Sequence, residues 1–106
     1  MSTQIIYSTE FNKHDNPGHP ENAQRLNVMI HELEQSSIFN DIELIEPIIL
    51  PEDLLYSVHS KEMIQLVKDI SISGDSWIDL DTYVCKNDYE IARLAAGGVF
   101  QACNNV

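Results

Sequence analysis

The segment Gln4-Ile5-Ile6-Tyr7-Ser8 is short, apolar and β-branched, and it predicts a strand buried on both faces. Residues 9–22 follow without periodicity and are rich in Asn, Asp, Gly, His and Pro, which predicts a loop. Loops of this length inside a compact domain are usually functional or disordered. The chain therefore opens on a strand that leads straight into a loop of potential function.

An amphipathic helix follows this loop, because four apolar residues fall at i, i+3, i+4 and i+7: Leu26, Met29, Ile30 and Leu33. We expect the helix to start at Asn22, or at His19 with Pro20 in the first helical position. Residues 42–46 then alternate as a strand. Pro47 predicts that this strand lies at an edge or ends there.

Two further helices precede an irregular stretch. Pro51 predicts the first turn of a short helix, and Ser60 predicts the cap of a longer one. The longer helix has an apolar stripe of the same spacing, made of Met63, Leu66, Val67 and Ile70. Residues 71–84 predict irregular structure, since they lack this periodicity.

The last helix carries a run of small residues. Asn87 and Glu90 predict a capping-box start. Residues 95–98 read Ala-Ala-Gly-Gly, and a glycine inside a helix costs about 1 kcal/mol relative to alanine. Two consecutive glycines therefore predict close packing of this helix against another element.

Alternation of strands and helices is the pattern of a parallel α/β sheet. Here the apolar faces of three predicted helices need a sheet to pack against, but the sequence predicts only one full strand and one partial strand. The pattern indicates the opening of a larger α/β domain, with residues 1–106 forming the N-terminal portion of one domain and no second core.

Composition excludes several classes of protein. The chain has 106 residues, 17 acidic and 6 basic, for a net charge of −11, and 43% of its residues are hydrophobic. This acidity opposes binding to nucleic acid and to anionic membranes, and we expect neither partner. The sequence shows no secretory leader and no membrane-spanning run, and its two cysteines form no CxxC pair, which predicts free thiols in the cytoplasm.

Several polar residues are candidates for chemistry. His14 and His19, with Asp15, have side chains that can bind a metal, although hydrogen bonding within the loop is the interpretation we favour. Arg25 is either a solvated helix residue or an inward guanidinium that holds a carboxylate or carbonyl groups. Asp79 and Asp81 are either an acid–base pair or solvated loop residues. The chain shows no complete catalytic or metal motif.

Four stretches resemble histone-deacetylase-like proteins when they are taken in order along the chain. Residues 19–26 read H-P-E-x-x-x-R-L, residues 54–60 read L-L-x-x-V-H-S, residues 81–84 read D-T-Y-V, and residues 90–98 read E-x-A-x-x-A-A-G-G. Together they cover most of the chain. They are most similar to the bacterial and archaeal branch, which includes acetoin-utilisation and acetylpolyamine deacetylases.

The resemblance implies the arginase/deacetylase fold, a parallel sheet between layers of helices, and hydrolysis of an acetyl amide at a zinc ion. It places the Zn²⁺ ligands and the catalytic histidine pair beyond residue 106, so no catalytic or metal residue is expected within the chain. Asp81 matches a position at the pocket rim that accepts hydrogen bonds from substrate amides. Arg25, and less directly Tyr7, match positions beside an internal channel through which acetate leaves.

The expected substrate is an acetylated lysine side chain or an acetylated small amine, and the 106-residue segment alone is expected to be inactive. An alternative interpretation is a short acidic interaction module without catalytic activity, which associates through its incomplete sheet. The sequence does not indicate the oligomeric state of the protein.

Overall fold

Two parallel strands form the centre of the fold. The computed structural model describes residues 2–106, in which β1 (Thr3–Ile6) pairs in parallel with β2 (Ile42–Ile45). Helix α1 (Gln24–Gln35) connects the two strands, as a parallel pair requires a crossover. The predicted parallel α/β arrangement is confirmed.

Three helices and a hairpin follow the strand pair. They are α2 (Glu52–Leu55), α3 (Lys61–Ser73), the antiparallel strands β3 (Ser76–Trp77) and β4 (Tyr83–Val84), and α4 (Asp88–Asn105). Two 3-10 helices, Thr9–Lys13 and Ser37–Asp41, lie before α1 and β2. No helix among residues 2–106 has the length and apolar character needed to span a bilayer.

The predicted cap of α3 is confirmed, since the Ser60 hydroxyl accepts a hydrogen bond from the Met63 amide at 3.2 Å. The buried face of α3 differs from the predicted stripe. Ile64 is buried, whereas Met63 and Leu66 are exposed. Val67 and Ile70 are half-buried, so only part of the predicted stripe is covered.

Strand β1 is not buried on both faces, which corrects the prediction. Thr3 and Gln4 are exposed, and Ile5 and Ile6 are half-buried. Within residues 2–106 the sheet contains β1 and β2 alone, so too few elements surround β1 to bury it.

Three local predictions also need correction. The loop at residues 9–22 contains a 3-10 helix, and the stretch at 71–84 contains the end of α3 and the β3–β4 hairpin. The capping box at Asn87 is wrong, because Asn87 adopts a left-handed φ of 69° and its side chain makes no capping hydrogen bond. Asn87 nevertheless lies directly before the first residue of α4, as the sequence predicts.

Helix α4 packs directly against the backbone that follows β2. A Cβ atom at Gly97 would lie 1.8 Å from the Ile48 carbonyl oxygen and 2.8 Å from the Leu50 nitrogen. Arg93 fixes the same contact, because its carbonyl accepts from the Leu50 amide at 3.0 Å and its Nε donates to the Leu50 carbonyl at 2.9 Å. The close packing predicted from the paired glycines is confirmed.

We expect Gly97→Ala to lower the free energy of unfolding by about 2 kcal/mol, because backbone atoms cannot move aside for the added methyl group. Gly98→Ala is the matched control, since its Cβ would meet only side-chain atoms, Ile6 Cγ2 at 3.2 Å and Pro47 Cβ at 3.4 Å. Its effect should stay within about 1 kcal/mol, partly offset by the better helix propensity of alanine. Denaturant unfolding of both variants measures the difference, and equal losses would contradict the backbone contact.

A polar network joins α2, α3 and α4 at Glu52. Its carboxylate accepts hydrogen bonds from the Lys68 ammonium at 2.8 Å, the Tyr56 hydroxyl at 2.9 Å and the Tyr89 hydroxyl. The hydrogen bond from Lys68 is the largest of the effects that lower the pKa of Glu52 from its ordinary 4.5 to about 2. The ionised form of Glu52 is therefore the one that the fold stabilises.

This lowered pKa predicts a pH dependence. A carboxyl group whose pKa is lower in the folded state contributes stability above its unfolded pKa, and that stability is lost as pH falls through the folded pKa. We expect Glu52→Gln to flatten the fall in stability between about pH 4.5 and pH 2. Glu62→Gln, at an exposed position on α3, is the control, and thermal melts across this range measure both. An unchanged slope in Glu52→Gln would exclude the network as its source.

Candidate functional site at the junction of two loops

Two loops that are far apart in sequence lie against each other. We call residues 14–23 the first loop. We call residues 78–88, which include β4 and the first residue of α4, the second loop. His14 Nδ1 lies 2.8 Å from Asp88 Oδ2, and His19 Nε2 lies 2.9 Å from Asp81 Oδ1. These polar contacts, which cross 74 and 62 residues of sequence, make the junction a single candidate site.

The protonation pattern of His19 follows from its two contacts. Its Nδ1 accepts from the Glu21 amide at 3.0 Å, so Nδ1 carries no proton in this arrangement and Nε2 is the donor to Asp81. The Asp81 side chain is 85% exposed. His19 therefore holds one oxygen of a carboxylate that otherwise faces solvent.

Asp79 shapes the turn that presents Asp81. Its Oδ1 accepts from the Asp81 amide at 2.9 Å, and this backbone hydrogen bond, followed by one from the Thr82 side chain, lowers the pKa of Asp79. Asp79 thus has a local structural role. The two carboxylates therefore differ in their surroundings, since Asp79 holds the turn and Asp81 faces solvent.

The inner end of the junction is built around Asp88. This residue is 8% exposed, and its Oδ2 accepts from the Cys85 amide at 2.6 Å as well as contacting His14. The Cys85 thiol is buried, and burial raises its pKa. It therefore retains its proton and donates to the Asp15 carbonyl at 3.3 Å.

His14, His19 and Asp15 each form a hydrogen bond with a different residue, in line with the interpretation favoured over a shared metal ion. Their partners are Asp88 and Asp81 in the second loop and Ala23 at the end of the first loop. Sequence reasoning missed Asp88 and Cys85 as partners of His14. Local spacing carries no signal for a contact between residues 74 positions apart.

A cavity of about 460 Å³ lies beside the junction, between α1, α3, α4 and the second loop. Arg25 lines it together with apolar side chains that include Leu26, Met29 and Ile91. Tyr7 is not among the lining residues, but Phe11 is. The Tyr7 ring packs edge-to-face on the Phe11 ring, with 6.4 Å between the ring centroids. Of the two predicted channel residues, Arg25 therefore contacts the cavity directly and Tyr7 through a neighbour.

The first loop also starts helix α1. The helix begins at Gln24, with Ala23 as the residue before it, so neither predicted start is correct. Asp15 Oδ1 accepts from the Ala23 amide at 2.8 Å, and Asn22 Oδ1 accepts from the Gln24 amide at 3.0 Å. A carboxylate eight residues upstream thus satisfies a backbone donor at the helix start.

We expect Asp15→Ala to lower the free energy of unfolding by about 1 kcal/mol, the usual cost of removing a side-chain acceptor at a helix start. Asp15→Asn is the matched control, because its side-chain oxygen can still accept from Ala23. Chemical unfolding followed by circular dichroism compares the two. A loss in Asp15→Asn as large as in Asp15→Ala would rule out the capping role.

Comparisons with known proteins identify the family that this chain resembles. A model of the histone deacetylase domain matches residues 19–106. A probable deacetylase of Methanothermobacter thermautotrophicus is 31% identical over 98 residues, covering 92% of this chain and 29% of that protein. A probable deacetylase of Archaeoglobus fulgidus is 33% identical over 109 residues, covering 100% of this chain and 30% of that protein.

A solved structure shows the same arrangement of elements. The crystal structure of the HDA15 HD domain superposes with a TM-score of 0.81 at 25% sequence identity, covering 92% of this chain and 30% of that chain. The predicted fold class, an incomplete α/β arginase/deacetylase fold, is confirmed by this match. The chain spans under a third of the length of these relatives, and it belongs to the histone deacetylase family.

Proposed function

We propose that residues 1–106 form the N-terminal section of one deacetylase-like domain that hydrolyses acetyl amides. In this proposal the section supplies part of the pocket rim and of a channel wall. The observation that carries the proposal is the hydrogen bond between His19 and Asp81. It joins the H-P-E segment to the D-T-Y-V segment, two motifs of the family resemblance that are 62 residues apart.

Exposed apolar side chains support the same view. Val58 is 77% exposed and Ile72 is 74% exposed, and fifteen further large apolar side chains of residues 2–106 are exposed as well. Where such side chains form a contiguous surface, that surface usually meets another part of the protein. We propose that further strands and helices of the domain cover them. In the alternative, an interaction module without activity, a separate partner covers them. The reading frame after the codon for Val106 distinguishes the two, because only the first requires a continuing domain.

The proposed hydrolysis uses a zinc ion, which acidifies a water molecule and polarises the substrate carbonyl when bound. The resemblance implies aspartate and histidine ligands for this ion. In residues 2–106 the grouped metal-binding side chains are His14, Cys85 and Asp88, and the thiol does not match that donor set. We therefore assign no residue of this chain to the catalytic ion.

Asp81 is proposed to accept a hydrogen bond from an amide N–H of the substrate. His19 Nε2 donates to one carboxylate oxygen, and the high exposure of the side chain leaves the other within reach of a bound molecule. An ionised acceptor forms hydrogen bonds about twice as strong as a neutral one. His19 acts here as a positioning residue, since it touches Asp81 and not the substrate.

Arg25 is proposed to line the route by which acetate leaves. Arg25 is an exposed residue at the edge of a largely apolar cavity, and a guanidinium group binds carboxylates with two parallel hydrogen bonds. Tyr7 is proposed to support this wall by its contact with Phe11. The substrate class is an acetyl-lysine side chain or an acetylated small amine.

The test is steady-state kinetics of the full-length protein with an acetyl-lysine peptide and an acetylated diamine. We expect Asp81→Ala to reduce kcat/KM about tenfold or more through a higher KM, because a charge-assisted contact is lost. His19→Ala should give a smaller loss in the same direction, and His19→Gln, which retains a donor, should recover part of it.

Glu62→Gln removes one negative charge at an exposed position on α3 and is the matched control. Its kcat/KM should equal that of the unmodified protein, and the melting temperature of Asp81→Ala should be unchanged. If Asp81→Ala lowers the melting temperature and leaves the kinetics intact, the rim role is wrong.

A further inference from the structure

His14, Cys85 and Asp88 bring three different metal-binding atoms together at the inner end of the loop junction. One ligand atom from each residue lies within 4.8 Å of the other two. Cys85 and Asp88 are buried and His14 is half-buried. The group combines an imidazole nitrogen, a thiol sulfur and a carboxylate oxygen from two loops that are 70 or more residues apart.

The carboxylate of Asp88 is incompletely satisfied. Its Oδ2 has two partners, His14 Nδ1 and the Cys85 amide. Its Oδ1 is buried and has no hydrogen-bond partner among residues 2–106. Buried polar atoms are nearly always paired, and an orphaned carboxylate oxygen in a residue that is 8% exposed calls for a bound water or cation.

We propose that His14, Cys85 and Asp88 form a structural zinc site, separate from the catalytic ion. Nitrogen, sulfur and oxygen donors are the set that Zn²⁺ takes in four-coordinate sites, at about 2.0–2.3 Å from the metal. Ligand atoms in such a tetrahedron are about 3.3–3.7 Å apart. To reach this spacing, His14 Nδ1 and Asp88 Oδ2, which are 2.8 Å apart, would separate by roughly half an ångström. The Cys85 sulfur, which lies within 4.8 Å of the other two ligand atoms, would move closer to them wherever its distance exceeds that range.

The fourth ligand is either water or the Asp15 carbonyl, whose oxygen already lies 3.3 Å from Cys85 Sγ. On binding, the metal takes the place of the thiol proton, which is released to solvent. A zinc ion here would fix the first loop to the start of α4. It would thereby hold the wall of the 460 Å³ cavity, to which His14 and Asp88 both contribute.

The test is titration of the reduced 106-residue chain with Co²⁺, followed by displacement with Zn²⁺. We expect one Co²⁺ per chain, the visible bands of a tetrahedral ion and a thiolate-to-cobalt charge-transfer band, all lost when Zn²⁺ is added. The chain lacks the catalytic ligands that the resemblance places after residue 106. The signal therefore reports this site independently of the proposed function.

Substitutions identify the ligands. Cys85→Ser should abolish the charge-transfer band, whereas Cys103→Ser, at an exposed cysteine, should retain the full spectrum. His14→Ala and Asp88→Asn should each weaken Co²⁺ affinity about tenfold or more, and His19→Ala should leave it unchanged. The spectrum of the unmodified chain tests the proposal even if one of these variants fails to fold.

Three results would overturn the proposal. The first is a Co²⁺ complex of the unmodified chain without a charge-transfer band, which would indicate histidine or surface carboxylate binding only. The second is a charge-transfer band that persists in Cys85→Ser and disappears in Cys103→Ser. The third is the absence of any Co²⁺ or Zn²⁺ binding, which would show that these three residues form only a hydrogen-bonded structural cluster.

Discussion

Helix α4 crosses the backbone of residues 48–50 in direct contact, and this crossing sets the positions of the neighbouring elements. Gly97 brings the helix so close to the Ile48 carbonyl that no side chain fits between them. Arg93 and Leu50 lock the same crossing with backbone and guanidinium hydrogen bonds. This contact fixes α4 on the strand pair, and the start of α4 in turn determines where the second loop lies.

The candidate site follows from that frame. The second loop presents Asp81 outward and Asp88 inward, and the first loop meets both with histidines. The junction of the two loops therefore has an exposed carboxylate at its outer end and a buried cluster of donor atoms at its inner end. His14 and Asp88, at the inner end, line the cavity, and Asp81, at the outer end, is the neighbour of Thr82, which also lines it.

Much of the fold could be predicted from local pattern. The spacing of Leu26, Met29, Ile30 and Leu33 identified α1, Ser60 marked the start of α3, and the paired glycines indicated a close helix crossing. The resemblance identified the family. The burial of β1 was overestimated, because it depends on how many elements surround the strand. The Asp15 cap and the His14–Asp88 contact were missed, because both join residues that no helical or strand period relates.

The most direct measurement of the central claim is release of acetate from an acetyl-lysine peptide in the presence of Zn²⁺, assayed with the 106-residue chain and with the chain extended through the following reading frame. We expect release by the extended protein and none by the 106-residue chain, even when that chain holds zinc. Zinc-dependent turnover by the 106-residue chain alone would contradict it.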